Sequence, residues 1–228
     1  MNEKGKAVIL LGPPGSGKSS LAEKINKHLP IEVFESGELL RQEMEKGSEL
    51  GGRIESFVEK GELAPSELMI EALGRAMSDA ECRNIVFDGF PRKMDQVIPF
   101  FAMISENDFE LSAVIILQLS KDVGTQRIVG RRVCAGCGAV YNRDFDPPVQ
   151  SGVCNRCGGT LVKRKDDTTE TVNRRWESYE GQTIPVIEYL ESNYPGVIHE
   201  VAAQADIDRV VYQVSSIIRL SMSPASSG

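Results

Sequence analysis

The sequence predicts an α/β fold: a doubly wound, five-stranded parallel sheet with a small helical flap and a β-rich, metal-bearing lid attached. Three observations carry that prediction. Five short apolar runs alternate with helical patterns along the 228 residues, as strands of a covered parallel sheet do. The first run leads into Gly12-Pro13-Pro14-Gly15-Ser16-Gly17-Lys18-Ser19, which fits G-x-x-x-x-G-K-[ST], the phosphate-binding P-loop. Late in the chain, two Cys-x-x-Cys pairs mark a small metal-binding unit set among the core elements.

Taken in order, residues 7–11 form a buried strand, and Leu21, Ile25 and Leu29 then repeat every four residues on one face of a helix. That setting is what a P-loop needs. Its glycines let backbone N–H groups converge on phosphate oxygens, and the helix N-terminus adds partial positive charge. Lys18 is placed to reach the β- and γ-phosphates, with Ser19 or Ser20 near the magnesium ion. The expected ligand is a nucleoside triphosphate. Residues 31–34 suit a second strand, after which Ser36 is placed to cap a helix through Leu39, Leu40 and Arg41. Gly47, Gly51, Gly52 and Gly61 punctuate short helices such as 54–60, a cluster that reads as a mobile flap. Pro65 and Ser66 open another helix, with Leu68, Ala72 and Ala76 along one face.

Residues 84–88 read as a strand ending in Asp88, the Walker B form whose carboxylate holds magnesium directly or through water. Gly89-Phe90-Pro91-Arg92 continues to the carboxyl edge of the sheet, where open α/β folds bind ligands. A strand over 113–119 follows, then a helix over 122–131 that sets Arg127 and Arg131 on one face. A long helix over 171–193 carries Arg175, Trp176 and Tyr179 and kinks at Pro185. The fifth strand spans 197–201, and the last helix is striped by Ile207, Val210, Val211, Val214, Ile217 and Ile218 before a fraying tail.

Hydrophobic content of 41% and charged content of 26% belong to a globular protein in water. The net charge of −7 and a pI near 5.1 argue against a dedicated nucleic-acid binder. No apolar run approaches the ~20 residues of a bilayer span. The N-terminal apolar run belongs to a core strand rather than a signal sequence, so a cytoplasmic location is expected. Cys134, Cys137, Cys154 and Cys157 form the two Cys-x-x-Cys pairs, sixteen residues apart. In a reducing compartment such pairs read as metal ligands rather than disulfides, with redox use the lesser alternative. His28 and His199 are distant in sequence, so the site reads as Cys₄, closed and structural; zinc is expected, and iron also takes this ligand set. Val140, Tyr141 and Asp146-Pro147-Pro148 between the pairs suggest a small β-rich unit, and Cys82 is left as a half-buried hydrophobe.

Arg41, Arg92, Arg127, Arg131, Arg164 and Arg175 recur at element ends and flap edges. Phosphoryl transfer needs donor and acceptor aligned and the transferring charge neutralised, which arginine does by gripping phosphate oxygens with two N–H groups. Two flaps closing over a P-loop would also exclude water from a hydrolysable phosphate. The set therefore points to two phosphorylated substrates.

These residues bring the chain close to a known family. Gly12 to Lys18, Ser36-Gly37-Glu38-Leu39-Leu40-Arg41, Asp88-Gly89-Phe90-Pro91-Arg92, Gln96, Arg127 to Arg132, the Cys₄ unit and Arg164 to Arg175 together resemble adenylate kinase in its bacterial, long-lid, zinc-containing form. The resemblance covers nearly the whole chain. It implies reversible transfer from MgATP to AMP giving two ADP, which balances the adenine nucleotides, by a monomer with no nucleic-acid or membrane partner. It implies that Gly12, Pro13, Gly15, Ser16, Gly17, Lys18, Ser19, Ser20, Arg127, Arg131, Val140, Tyr141 and Ala203 meet ATP. AMP would be held by Ser36, Gly37, Arg41, Glu62, Leu63, Ala64, Gly89, Phe90, Arg92 and Gln96, with Gln96 reading the adenine edge. Arg164 and Arg175 would span the transferring group and touch AMP as well; with Lys18, Arg92, Arg127 and Arg131 they make the catalytic set. It also implies a core of residues 1–34, 65–129 and 168–228, a monophosphate flap over 35–64 and a lid over 130–167. Three positions depart from the family pattern: Ser19-Ser20 stands for Gly-Thr, Ser36 for a threonine, and Ala203 lies in a segment that usually contains glycine. A kinase for UMP, CMP or GMP is the nearest rival. A P-loop GTPase would want Asn-Lys-x-Asp, and Asn26-Lys27 continues into His28-Leu29 instead.

Overall fold

The computed structural model describes residues 4–58, 64–164, 167–204 and 206–222. Strand β1 (Gly5–Leu11) runs into helix α1 (Lys18–Asn26), then β2 (Glu32–Glu35) and the helices α2 (Ser36–Glu45), α3 (Glu49–Val58) and α4 (Ser66–Asp79). Next come β3 (Asn84–Asp88), α5 (Met94–Glu106), β4 (Phe109–Gln118) and α6 (Lys121–Gly130). Three short strands, β5 (Arg131–Cys134), β6 (Val140–Asn142) and β7 (Leu161–Val162), precede α7 (Thr169–Ser178), α8 (Ile184–Asn193), β8 (Ile198–Ala202) and α9 (Ile207–Met222).

The large sheet is ordered β2-β3-β1-β4-β8, with every pair parallel. Period-two alternation along β1 serves two cores. Ala7, Ile9 and Leu11 face Phe34, Phe87 and Phe100 on one side; Val8 and Leu10 face Leu21, Ile25 and Val214 on the other. The two neighbours of β1 are β3 and β4, so the chain winds away from β1 in both directions. A crevice opens beyond such a switch point, and the P-loop leaves β1 into it. Beneath the end of β3, Phe87 and Phe90 both pack edge-on against Phe100, which makes that edge rigid. The small sheet, β6-β5-β7, is antiparallel. Among the described residues, no helix is long and apolar enough to cross a membrane.

Several expected boundaries move, each for a local reason. Ser36 is the first residue of α2, not its cap; Glu35 still pairs with Asp88 across the sheet, so strand passes directly into helix. Gly51 and Gly52 lie inside α3 rather than bounding it. A Cβ on Gly51 would sit 2.1 Å from Glu43 O, so this glycine permits a close α2–α3 crossing instead of a break. Gly61 falls outside the described residues. Helix α6 stops at Gly130, and Arg131 turns extended to pair with Asn142, so Arg127 and Arg131 do not share a helical face. The long helix is two: α7 and α8 are joined by a wide turn over Tyr179–Thr183, where Ile184 N–H reaches Tyr179 O just before Pro185. The fourth strand begins earlier than expected, at Phe109, because its first residues pair with Gly5, Lys6 and Ala7.

Candidate functional site

The phosphate loop is wedged against α6. Gly15 has φ +81°, and a Cβ there would lie 2.3 Å from Gly124 O, so neither the turn nor its contact admits a side chain. Lys18 opens α1 and folds back over the loop, its Nζ donating to Gly12 O (2.6 Å), Pro13 O (3.2 Å) and Ser16 Oγ (3.2 Å). Burial lowers its pKa to about 8, against the pull of Asp88, which favours the charged form. Asp88 ends β3 opposite Leu10 of β1 and is 2% exposed. Ser19 Oγ donates to its Oδ2 at 3.0 Å, whereas its Oδ1 is buried with no partner. Burial pushes this carboxyl above the usual carboxylate range, with Lys18 and Ser19 holding it down. Ser19, rather than Ser20, is thus the hydroxyl brought to the carboxylate.

The next segment turns back across the same edge. A cis peptide joins Phe90 to Pro91, and Arg92 Nε donates to Gly89 O. Gln96 sits in the first turn of α5, its Oε1 accepting from Arg92 N (2.8 Å) and Lys93 N (3.2 Å) and its Nε2 donating to Ser66 Oγ (3.2 Å). This residue therefore caps its own helix and ties it to the start of α4. Ser36 is buried at the start of α2, beside Gly37. Arg41, one turn on, pairs with Glu38 and approaches Glu35 at 4.0 Å. Ala64 is half-buried, and Glu62 and Leu63 lie outside the described residues.

On the other side, Arg127 Nη1 donates to Ala203 O (2.8 Å) and the guanidinium lies 5.3 Å from the Phe145 ring. The methyl of Ala203 is in the core, so the departure from glycine there leaves the main chain facing Arg127. Arg131 grips Asp167 with two bonds, Nε to Oδ2 at 2.9 Å and Nη2 to Oδ1 at 2.5 Å. Arg164 is exposed, its carbonyl accepting from Asp167 N, and Arg175 is half-buried on α7. Val140 is exposed on β6. The hydroxyl of Tyr141 lies 3.4 Å from Cys154 Sγ and accepts from Asn155 N, so it is committed to the cysteines rather than to a nucleotide.

The four cysteines of the pairs converge: all four Sγ atoms lie within 4.8 Å of one another, with Cys134–Cys157 at 3.4 Å and Cys137–Cys154 at 3.6 Å. Amides of Cys137 and Arg156 point at Cys134 Sγ and Cys154 Sγ. The Tyr141 hydroxyl is the main cause lowering Cys154, to about 6. The Gly159 amide draws Cys157 down, but the neighbouring thiols Cys137 and Cys134 outweigh it and push that thiol up to about 12. Four sulfurs this close cannot all ionise unaided, which is the condition a central cation relieves.

A family model described as "Adenylate kinase" matches residues 10–194. An adenylate kinase of Moorella thermoacetica is 36% identical over 208 residues, covering 91% of this chain and 95% of its own. One of Archaeoglobus fulgidus is 34% identical over 212 residues (92% and 97%), and one of Thermosipho melanesiensis 35% over 213 (93% and 99%). The chain belongs to the adenylate kinase family. It is accordingly a phosphotransferase acting as a nucleoside monophosphate kinase, with the five-stranded parallel sheet of that family.

Both expected metals meet donor sets that fit them. Thiolates about 2.3 Å from a central zinc stand about 3.8 Å apart in a tetrahedron, close to the two short sulfur pairs here. For magnesium, the partnerless Asp88 Oδ1 beside the Ser19 hydroxyl is the kind of hard oxygen ligand that ion takes. The sequence placed Asp167 in the family motif but gave it no role; here it takes both guanidinium bonds of Arg131. It is fully buried under Arg131, and only its place after Arg164-Lys165-Asp166 hinted at it. Ser66 was legible only as a helix opener, and Asp95, which its hydroxyl bonds, left no sequence signal.

Proposed function

We propose that the protein transfers a phosphoryl group reversibly between MgATP and AMP, giving two ADP. The observation that carries this reading is the half-buried Lys18 folded over the P-loop next to the partnerless Asp88 oxygen, on the adjacent strand ends that lead into the P-loop and the Gly89–Arg92 turn. A lysine charged over phosphate-binding amides and a carboxylate one residue from a second ligand turn suit a donor and an acceptor phosphate side by side. ATP would take the loop from Gly12 to Ser20, displacing Lys18 Nζ from the carbonyls it now touches. AMP would lie along Ser36, Arg41, Gly89, Arg92 and Gln96. Arg127, Arg131, Arg164 and Arg175 would gather on the phosphates as residues 130–167 close as a lid and 35–64 as a flap over the remaining core. Arg131 would then exchange part of its grip on Asp167 for phosphate.

Asp88, directly or through water, and Ser19 would hold magnesium, which would neutralise charge on the ATP phosphates. Nothing in the chain is needed as a covalent nucleophile; alignment and charge neutralisation suffice. Zinc in the Cys₄ set would hold the lid sheet together and leave the chemical step alone. We place the enzyme in the cytoplasm as a monomer, with small-molecule substrates only. The test is ADP formation from MgATP with AMP, UMP, CMP and GMP in parallel. Strong preference for AMP is expected; preference for another monophosphate would move the specificity, and hydrolysis without an acceptor would overturn the reading.

A further inference from the structure

Gln96 is held in a single hydrogen-bonding sense. Its Oε1 faces two backbone N–H groups, at 2.8 Å from Arg92 N and 3.2 Å from Lys93 N, and a backbone N–H can only donate. The atom there must be the amide oxygen, which aims Nε2 the other way. Nε2 meets Ser66 Oγ at 3.2 Å. The hydroxyl accepts that bond and sends its own proton to Asp95 Oδ2, 2.9 Å away, a carboxylate with none to return. Proton order is thereby fixed from Asp95 through Ser66 to Gln96, across two helices whose contacting residues are 29 positions apart. The amide oxygen is spent on two donors, and one N–H of Nε2 is left over.

Resting on the AMP-site reading above, we infer that Ser66 and Asp95 are positioning residues for base choice. The Arg92 and Lys93 N–H groups set Gln96 as a donor and the Ser66–Asp95 pair fixes where its Nε2 end stands, so the acceptor site takes a purine monophosphate that offers a ring nitrogen with a free lone pair and rejects one that offers N–H there. Adenine N1 is bare, whereas N1 of hypoxanthine and guanine carries hydrogen. Gln96 is 8% exposed, so a donor facing a donor has little water to turn to. Leaving such groups unpaired separates substrates far more sharply than losing a methyl contact does.

The test is steady-state kinetics with AMP and IMP as alternative acceptors for the unsubstituted enzyme, Ser66→Ala, Ser66→Thr and Asp95→Asn. For Ser66→Ala, KM for AMP should rise about tenfold, the size of one lost hydrogen bond. The AMP:IMP ratio of kcat/KM should narrow by at least as much, with KM for ATP unmoved. Ser66→Thr keeps the hydroxyl and should restore the preference. Asp95→Asn can donate to Ser66 and reverse its proton, so it should fall between. A merely structural role would shift the melting temperature or both KM values together, without rescue by threonine. An unchanged AMP:IMP ratio in folded Ser66→Ala, or an equal rise in KM for ATP, overturns the inference. Failure of the unsubstituted enzyme to use AMP would instead overturn the acceptor reading, and this inference with it.

Discussion

The phosphate-binding edge and the cysteine knuckle handle polar atoms in opposite ways. At the edge, Lys18 and Asp88 lie against a double-sided core of aliphatic strands and edge-packed phenylalanines, and each has its pKa displaced by burial. The knuckle has a core of only Cys134, Ala139, Cys154 and Leu161, with Tyr141 packed against it. Its short strands pair over two or three positions, so the four thiols must supply through a shared ion what apolar area supplies elsewhere. The edge is stable enough to carry destabilising charge, and that charge is what the chemistry uses. The knuckle carries no such surplus.

The largest effect that would sharpen this contrast is at Lys18. Lys18→Met should lower kcat by about 10²–10³, as removal of one charge-stabilising donor does, while the melting temperature holds or rises. A fall in melting temperature comparable to a core mutation would break the account of Lys18 as a costly charge. Asp88→Asn comes next. Its folded pKa is raised above the unfolded value, so the ionised carboxylate costs stability at every pH above that unfolded value, and the amide removes the cost. Activity should drop severely while the melting temperature at neutral pH rises rather than falls. Calorimetry showing a destabilised Asp88→Asn protein would contradict the orphaned oxygen as a charge site.

At the knuckle the signs reverse. Cys134→Ser should lower the melting temperature by about 10 °C, equivalent to about 3 kcal/mol, and release one metal ion per chain by elemental analysis. Turnover at low temperature should change little. Complete loss of activity in a still-folded Cys134→Ser protein would erase the distinction between a chemical edge and a structural knuckle. The smallest effect is on pH. Lys18, near pKa 8 before nucleotide binds, loses its charge as pH rises, so KM for ATP should climb about fivefold between pH 8 and 9. Calorimetric titrations in buffers of different ionisation heat should show proton uptake on binding there. A flat KM across that range would mean Lys18 is charged throughout.

What the sequence made legible was local. Gly12 to Ser19, the strand ending in Asp88 and the paired cysteines are contiguous patterns whose chemistry follows from spacing, and the structure sets them as read. What stayed hidden depends on contacts between distant segments. Gly51 looked like a helix break because nothing near it announces Glu43 O pressing on its Cα. Arg131 looked helical because its departure is driven by pairing with Asn142, eleven residues on. The double duty of Gln96 needed the positions of Arg92 N and Ser66 Oγ, which no periodicity encodes. The functional assignment of individual arginines still rests on family resemblance. In the structure Arg41 and Arg131 are engaged by carboxylates that a phosphate would have to replace.

Trp176 is the one tryptophan in the chain, and it lies where α7 meets α6. It packs with Ile128, Val172 and the edge of Tyr179, its indole N–H buried without a partner and its ring within reach of Gly124, which itself braces the P-loop. The molecule thus carries a single tryptophan at the junction of α6 with α7, beside the P-loop. Its emission, blue-shifted by that dry pocket, should redden or quench whenever the joint admits water. Opening of that junction can then be timed optically in the unlabelled protein.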